Sequence, residues 1–367
     1  MAPHPVQCLQ QGSYFMKQFW SESIRNLAPY IPGEQSSAAG LIKLNTNENP
    51  YSPSPRVIEA MQRELGAGLR LYPDPDSLEL KRAIAELNDV PLDHVFIGNG
   101  SDEVLAHAFL ALLKHPLPIL VPDISYSFYP VYCALYGIES VAVPVDAALR
   151  IRIADYLRPN GGIVLANPNA PTGAALPLTE IRSLLQQNAD SVLLVDEAYV
   201  DFGAESAVAL IQDFPNLLVV QTLSKSRSLA GMRVGFAMGQ PALIAALECV
   251  KGCFNSYPID RLANAGGAAA LRDESYFDET RQRIIASREW LRTELTTLGF
   301  EVLPSQANFL FARHPHHEGA MLHNALRARN IMVRHFAKPR IDAFLRISIG
   351  TDEECRVLVG VLQEILR

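Results

Sequence analysis

The chain has 367 residues, 49% of them hydrophobic and 19% charged, with a formal net charge of −7. That length supports a sizeable core and about two domains. An acidic balance spread along the chain excludes a basic face for nucleic acid and a polybasic patch for a membrane surface.

Residues 1–15, MAPHPVQCLQQGSYF, lack a cationic segment leading into an apolar one, so they are not read as a secretory signal. Their polarity and lack of pattern predict a disordered extension, with Met16 marking where the folded part begins. Two proline-rich joints follow, PYSPSP (50–55) and YPDPDS (72–77). From His94 onward, short aliphatic runs recur: HVFIGNG, LPILVP, SVAVPV, GGIVLANP, SVLLVDEAY, NLLVVQTLSK and VGFAMG. Helical patterns such as EVLAHAFLALLKH and LTEIRSLLQQ separate them. Apolar runs without alternation are what strands buried on both faces look like. An α/β domain with a mostly parallel sheet flanked by helices is therefore predicted over 51–258. Beyond Pro258 comes a long helical stretch, RLANAGGAAALRDESYFDETRQRIIASREWLRTELTTL. EVLPSQANFLFAR, a helix around MLHNALRARN, IMVRHF, FLRISIG and a last helix complete a smaller α+β unit over 259–367. No window approaches the roughly 18 apolar residues of a membrane span. The cysteines (8, 133, 249, 253 and 355) are odd in number and never spaced C-x-x-C, which predicts neither a disulfide framework nor a zinc site. A reducing cytoplasm is the expected compartment.

Polar residues gather where the aliphatic runs end: 98–103, 167–173, 196–199 and 222–225. In open α/β sheets ligands lie beyond the carboxyl ends of the strands, so these clusters are candidates for one site. Asp196 ends SVLLVD, where a carboxylate is costly to bury without a cationic partner; taken alone it also fits a loop or helix-capping acid. ANPNAPTG (166–173) reads as a rigid turn whose asparagines point into a cleft, or as a plain turn. GNGSDE leads glycines into Ser101 and Asp102 at a helix start, which is ordinary capping or an anion site. It lacks the spacing of a triphosphate-binding loop, so a monophosphate suits it. In TLSKSRSLAGMRVGF (222–236), Lys225, Ser224 and Arg233 follow a buried strand, either as a solvated turn or as chemistry. A desolvated amine near other cations is a competent nucleophile. Amine, acid, tyrosine, asparagine and phosphate cradle together describe a pocket for pyridoxal 5'-phosphate.

From about Trp20 onward the chain resembles the fold type I pyridoxal-phosphate aminotransferases, and within them the histidinol-phosphate aminotransferases. NLAPYIPGEQ, KLNTNENPYSPSP, YPDPDS, GNGSDE, ANPNAPTG, VDEAYVDF, TLSKSRSLAGMRVGF, QANFLF, IMVRHF and FLRISIGT carry the resemblance in the family's order. It implies a large cofactor-binding domain, a small domain and an N-terminal arm (16–50) on the small one. It implies that Lys225 holds the cofactor covalently and then works as a base between substrate Cα and cofactor C4′. Asp196 is the expected partner of the pyridine nitrogen, Asn169 and Tyr199 of the ring's O3′ oxygen, and Tyr126 the ring-stacking aromatic. The phosphate is expected on Ser101, Asp102, Thr222, Ser224 and Arg233, with Tyr72 reaching in from the second subunit of a homodimer. Arg346 is the expected clamp for the substrate carboxylate, with Asn49 and Asn308 nearby, and Tyr30 and Arg334 for the substrate phosphate. The implied reaction moves the amino group of L-histidinol phosphate to 2-oxoglutarate, giving imidazole acetol phosphate and glutamate in histidine biosynthesis.

The chain departs from the pattern after the lysine, where many relatives carry an apolar pair and this chain has Ser226 and Arg227. Arg227 reads as a further pocket cation or as a solvated surface group, and the second is expected because Arg233 already fills the matched phosphate role. His314, His316 and His317 sit in a loop without a carboxylate pair, and no metal is predicted. An aromatic amino-acid aminotransferase and a phosphothreonine decarboxylase share much of the motif set. A serine-lysine hydrolase built on Ser224 and Lys225 would leave Asp196, Asn169 and Tyr199 without a common purpose.

Overall fold

The computed structural model describes residues 19–35 and 40–367; the expectations for 1–15 and Met16 lie outside them. An early strand, β1 (Ile42–Leu44), precedes the run of seven that the aliphatic segments form. These are β2 (Val95–Asn99), β3 (Ile119–Pro122), β4 (Ser140–Val143), β5 (Ile163–Ala166), β6 (Leu193–Asp196), β7 (Leu217–Thr222) and β8 (Val234–Gly239). They make one seven-stranded sheet in the order β2-β8-β7-β6-β5-β3-β4. Only β8 runs against its neighbours; the other contacts are parallel. Every residue of β3, β5, β6 and β8 is buried, as strands covered on both faces require, whereas the edge strand β4 exposes Ser140, Val141 and Ala142.

Because side chains alternate along a strand, each face has its own core. Ile97, Leu165, Val195, Val219 and Phe236 pack on one side. Phe96, Val164, Leu194, Leu218 and Ala237 pack on the other, against Phe109, Tyr129 and Tyr132. Asp196 falls on the same face as Leu194, the side that carries the tyrosines.

The long helical stretch after Pro258 is two helices, Arg261–Arg272 and Glu274–Thr297, broken at Asp273. In the first, small residues allow close approach: a Cβ on Gly266 would lie 3.1 Å from Met61 Cγ, and one on Gly267 3.0 Å from Leu80 Cδ1. Its Ala263, Ala268, Ala270 and Leu271 share the core of the large sheet. The division between the units expected after residue 258 therefore precedes a helix that packs with the large sheet, and we propose Asp273 as the division instead.

The second sheet contains β1, β9 (Glu301–Val302), β10 (Phe309–Arg313), β11 (Ile331–His335) and β12 (Phe344–Ser348), in the order β1-β11-β12-β10-β9. Residues 42–44 of the expected arm are thus an edge strand, paired in parallel with β11. One face of this sheet buries Leu310, Val333, Leu345 and Ile347 against Ile284, Leu291, Leu322 and Leu358 of its helices. The alternate residues, including Arg334 and its cross-strand partner Arg346, emerge on the other face. No helix among the described residues is long and apolar enough to cross a membrane.

Candidate active site

The carboxyl ends of β5, β6 and β7 and the turn after β2 open into one cavity of about 240 Å³. Ser101, Asp102, Asp196, Tyr199, Ser224 and Lys225 line it from the large sheet. Arg334 and Arg346 line it from the small sheet, and Tyr30 and residues 45–48 from the N-terminal segment.

Lys225 is half-buried and its Nζ donates to the carbonyl of Thr46 at 3.2 Å, 5.8 Å from the centre of the Tyr199 ring. Asp196, 5% exposed, accepts from the Tyr129 hydroxyl at 2.8 Å and from the Ala198 N–H at 3.2 Å. Burial pushes its pKa up to about 6, and the Tyr129 hydrogen bond opposes that rise. The Tyr199 hydroxyl accepts from Asn47 Nδ2 at 3.0 Å, and its ring stands edge-on to Phe309 at 5.1 Å.

Helix Gly100–Leu112 begins at the cavity, so the first-turn N–H groups at Ser101 and Asp102 have no intrahelical acceptor. The Asp102 carboxylate bridges two side chains, accepting from Tyr126 at 3.0 Å and from Arg233 Nη2 at 3.0 Å. Burial holds the Tyr126 hydroxyl protonated far above its usual range. Thr222 Oγ1 accepts the Ser224 N–H at 3.1 Å and lies 2.9 Å from Ser224 Oγ. A Cβ on Gly235 would collide with the Ser101 nitrogen, and one on Gly100 (φ +78°) with the Arg233 guanidinium. The glycines therefore let β8, the start of this helix and the Arg233 guanidinium approach one another closely, which brings backbone N–H groups and a guanidinium together on the cavity wall.

Across the cavity, Arg346 donates from Nη2 to the Asn45 carbonyl at 3.0 Å and lies 5.4 Å from the Phe309 ring and 5.5 Å from the Phe336 ring. Its Nε is buried without a protein acceptor, and burial holds its pKa below the usual guanidinium value. Arg334 lies 5.5 Å from the Phe336 ring, and Tyr30 packs on Phe128 at 4.8 Å.

Four expected site residues lie elsewhere. Asn169 is buried behind the wall, donating to the Ile124 carbonyl at 2.9 Å and accepting from Ser125 at 2.7 Å, so its amide anchors the turn rather than facing the cavity. Asn49 donates to the carbonyls of Lys225 (3.0 Å) and Ser226 (3.1 Å), beneath the lysine loop. Asn308 is fully buried and donates to the Asn47 carbonyl at 2.9 Å. Tyr72, 78% exposed, stacks on Tyr257 at 4.7 Å and is not on the cavity wall of its own chain.

Arg227 also needs correcting: it is only 8% exposed, not a solvated surface group. Its Nη1 donates to the Ala270 carbonyl at 2.8 Å and its guanidinium covers the Phe277 ring at 3.5 Å. His314 lies 4.7 Å from His317 ring to ring, and among the described residues no group of three or more His, Cys, Asp or Glu side chains is arranged to hold a metal.

Among the residues at the site that carried no expectation are Asn47, Glu48 and Tyr129, the last behind Asp196. Asn47 reaches the Tyr199 hydroxyl, and its choice over Asn45 or Asn49 turns on a left-handed φ of 57° that the repeated asparagines conceal. Glu48 lines the cavity with both oxygens 2.6 Å from Lys43 Nζ. Burial raises its pKa, but the hydrogen bonds from Lys43 and Thr46 and the charge of Lys43 prevail and hold it below the usual value. Tyr129 stands three residues after Tyr126, spacing that a core tyrosine shares. Tyr129→Phe keeps the ring in its packing but removes the donor, so Asp196 is expected to become easier to protonate. The measurement is cofactor affinity against pH: it should weaken by roughly 3- to 10-fold at neutral pH, with the acid limb moving upward. An unmoved limb would show that the hydroxyl does not act on Asp196.

The residues present fit pyridoxal phosphate: a reachable amine, a buried carboxylate, a helix start and a guanidinium together on the cavity wall, and an arginine Nε with no acceptor of its own. The family described as aminotransferase class I and II matches residues 39–362. A histidinol-phosphate aminotransferase of Methylococcus capsulatus is 62% identical over 351 residues, spanning 96% of this chain and 98% of that one. One from Dechloromonas aromatica is 60% identical over 354 residues, spanning 95% and 99%. Among solved structures, the Sinorhizobium meliloti histidinol-phosphate aminotransferase in complex with pyridoxal-5'-phosphate superimposes with a TM-score of 0.81 at 25% identity, covering 89% of this chain and 91% of that one. With its sheet order, its cavity and these relatives in agreement, the chain belongs to the class I and II aminotransferases, in the branch of the histidinol-phosphate aminotransferases.

Proposed function

We propose that the chain uses pyridoxal 5'-phosphate to transfer the amino group of L-histidinol phosphate to 2-oxoglutarate, giving imidazole acetol phosphate and glutamate. The observation that carries this reading is the placing of the Lys225 amine, the buried Asp196 and the paired Arg334 and Arg346 around one cavity. When bound, pyridoxal phosphate takes up the amino group and draws electron density from the substrate Cα. Lys225 Nζ would hold the cofactor covalently and would carry the proton at the substrate Cα. Asp196, as a carboxylate, holds a proton on the pyridine nitrogen. Tyr199, oriented by Asn47, donates toward the ring oxygen. Arg233, Ser224, Thr222 and the N–H groups of Ser101 and Asp102 would hold the cofactor phosphate, and Tyr126 would face the ring. Asn169, Asn49 and Asn308 support these groups through the hydrogen bonds they make rather than by touching substrate.

Arg346 and Arg334 lie on adjacent strands at a single register position, so their guanidiniums present two anion clamps side by side. We assign Arg346 to the carboxylate of the amino acceptor and Arg334, with Tyr30, to the phosphate of histidinol phosphate. The aromatic wall of Tyr30, Tyr126 and Phe336 also favours a second reading, transamination of aromatic amino acids. Steady-state kinetics with histidinol phosphate and with phenylalanine, each against 2-oxoglutarate, separate the two. Arg334→Ala is expected to lower kcat/KM for histidinol phosphate by about 10²-fold, as loss of charge-assisted hydrogen bonds implies, and to affect phenylalanine much less. Equal losses, or a parent preference for phenylalanine, would favour the second reading.

We further propose that the active form is a homodimer, with Tyr72 meeting the cofactor phosphate of the second subunit. In support, Leu69, Leu71, Tyr72, Phe254 and Tyr257 are exposed apolar side chains, and Arg261 holds the carbonyls of Leu71 and Tyr72. A single-chain mass in analytical sedimentation would remove this assignment. The free cysteines Cys133, Cys249, Cys253 and Cys355 suit a reducing cytoplasm, where we place the enzyme.

A further inference from the structure

The one cation of the lysine motif without a role in the reaction, Arg227, lies at the joint between the two units. The Ala270 carbonyl that it caps belongs to the last turn of helix Arg261–Arg272, where carbonyls lack intrahelical donors. The Phe277 ring that it covers belongs to the first turn of helix Glu274–Thr297. Between these contacts the chain leaves helical geometry at Asp273 (φ −95°, ψ 67°). A single guanidinium thus spans the break. Burying it costs solvation, which the nearby carboxylates of Asp201, Glu274 and Asp273 offset only in part, with Arg281 acting against them. An apolar side chain would fill this space without that cost, so packing alone does not account for the charge.

The neighbouring residues of the loop are fixed as well. Ser226 donates to the Asp201 carboxylate in the turn after β6, and Asn49 holds the carbonyls of Lys225 and Ser226. Beyond the joint, helix Glu274–Thr297 sends Ile284, Leu291 and Leu295 into the core of the small sheet. The opposite face of that sheet carries Arg334 and Arg346. A continuous path of contacts therefore runs from the lysine loop through Arg227 to the element that carries the substrate clamps.

We infer that Arg227 is a positioning residue that ties the Lys225 loop to the joint at Asp273, setting the spacing between the reacting amine and the anion clamps of the small unit. The inference rests on Lys225 being the reacting amine, as proposed above. It assigns no contact with substrate or cofactor to Arg227. Removing the guanidinium should therefore loosen alignment while leaving the cofactor pocket in place.

The test compares Arg227→Met, which keeps an apolar contact with Phe277 but neither charge nor donor, with Arg227→Lys, which keeps the charge but not the planar stack. Amide hydrogen exchange, read on both cofactor-bound and cofactor-free protein, should rise by about tenfold across residues 270–281 and 224–229 in Arg227→Met. kcat/KM should fall by about tenfold or more, because small misplacements of reacting groups carry large rate costs. Affinity for pyridoxal phosphate should stay within about twofold of the parent, and Arg227→Lys should fall between the two. Unchanged exchange at both segments would overturn the inference, as would a lower Tm with kcat/KM intact, or a loss of kcat/KM matched by an equal loss of cofactor affinity. A parent enzyme without turnover would instead refute the transaminase reading, and the exchange data alone would then decide whether Arg227 ties the joint.

Discussion

Lys225→Ala should abolish transamination, lowering kcat by on the order of 10⁴-fold or more, while the protein remains folded. The amine contributes one hydrogen bond, to the Thr46 carbonyl, so its removal costs the fold about 1 kcal/mol. The loop around it is held independently by Asn49, by the Ser226–Asp201 contact and by Arg227 on Ala270. Cofactor should still bind through the phosphate cradle and Asp196, but its visible absorption should lose the band that depends on covalent attachment. Steady-state rates, the absorption spectrum and a thermal melt together check this. Turnover above about one per cent of the parent would remove Lys225 from the centre of the reaction. The hydrolase alternative is poorly served by the same geometry. Ser224 Oγ lies 2.9 Å from Thr222 Oγ1, whereas Lys225 Nζ donates to Thr46, so serine and lysine are not joined as nucleophile and base.

The large sheet was readable because its strands are covered on both faces, and continuous apolar runs are the signature of that environment. The edge strand β4 shows the limit, since SVAVPV reads like the others although its first three residues face solvent. The break at Asp273 was not readable: the helical pattern runs through it, and tertiary partners decide there, with Ser54 and Ser275 donating to the Asp273 carboxylate. Lys225, Asp196 and Arg233 stand out in the sequence as charges beside buried strands, but their roles, and the choice of Arg346, came from the family resemblance rather than from their positions. The asparagines could not be assigned in the same way. KLNTNENP offers Asn45, Asn47 and Asn49 with equal chemistry, and only backbone direction sends Asn47 to Tyr199 and Asn49 beneath the lysine loop. Arg227 was misjudged for a similar reason. A cation in a loop is usually solvated, and its burial depends on Ala270 and Phe277, residues more than forty positions away.

Asp196→Asn separates the demands of folding from those of chemistry. Asparagine keeps the shape and can still accept from Tyr129, but it cannot hold a proton on the pyridine nitrogen by charge. A fall in kcat of about 10²- to 10³-fold is expected, the range typical for loss of one preorganised electrostatic group. Stability should move the other way in the cofactor-free protein. The carboxyl pKa of about 6 lies above the ordinary 3.8, so the folded state favours the protonated acid. That contribution is fully present below about pH 4 and is lost as pH rises through 6. At pH 8 the buried carboxylate opposes folding by on the order of 3 kcal/mol. Asp196→Asn should therefore raise the Tm of the cofactor-free protein by several degrees at pH 8, and the gain should vanish near pH 4. Glu197, raised to about 7 by burial on the opposite face, contributes with the same sign in both proteins, so the difference between variant and parent isolates Asp196. Adding pyridoxal phosphate should reverse the order at pH 8, because only the parent has a carboxylate to pair with the protonated ring. If the variant gains as much from the cofactor as the parent does, the buried charge is not there for the pyridine nitrogen.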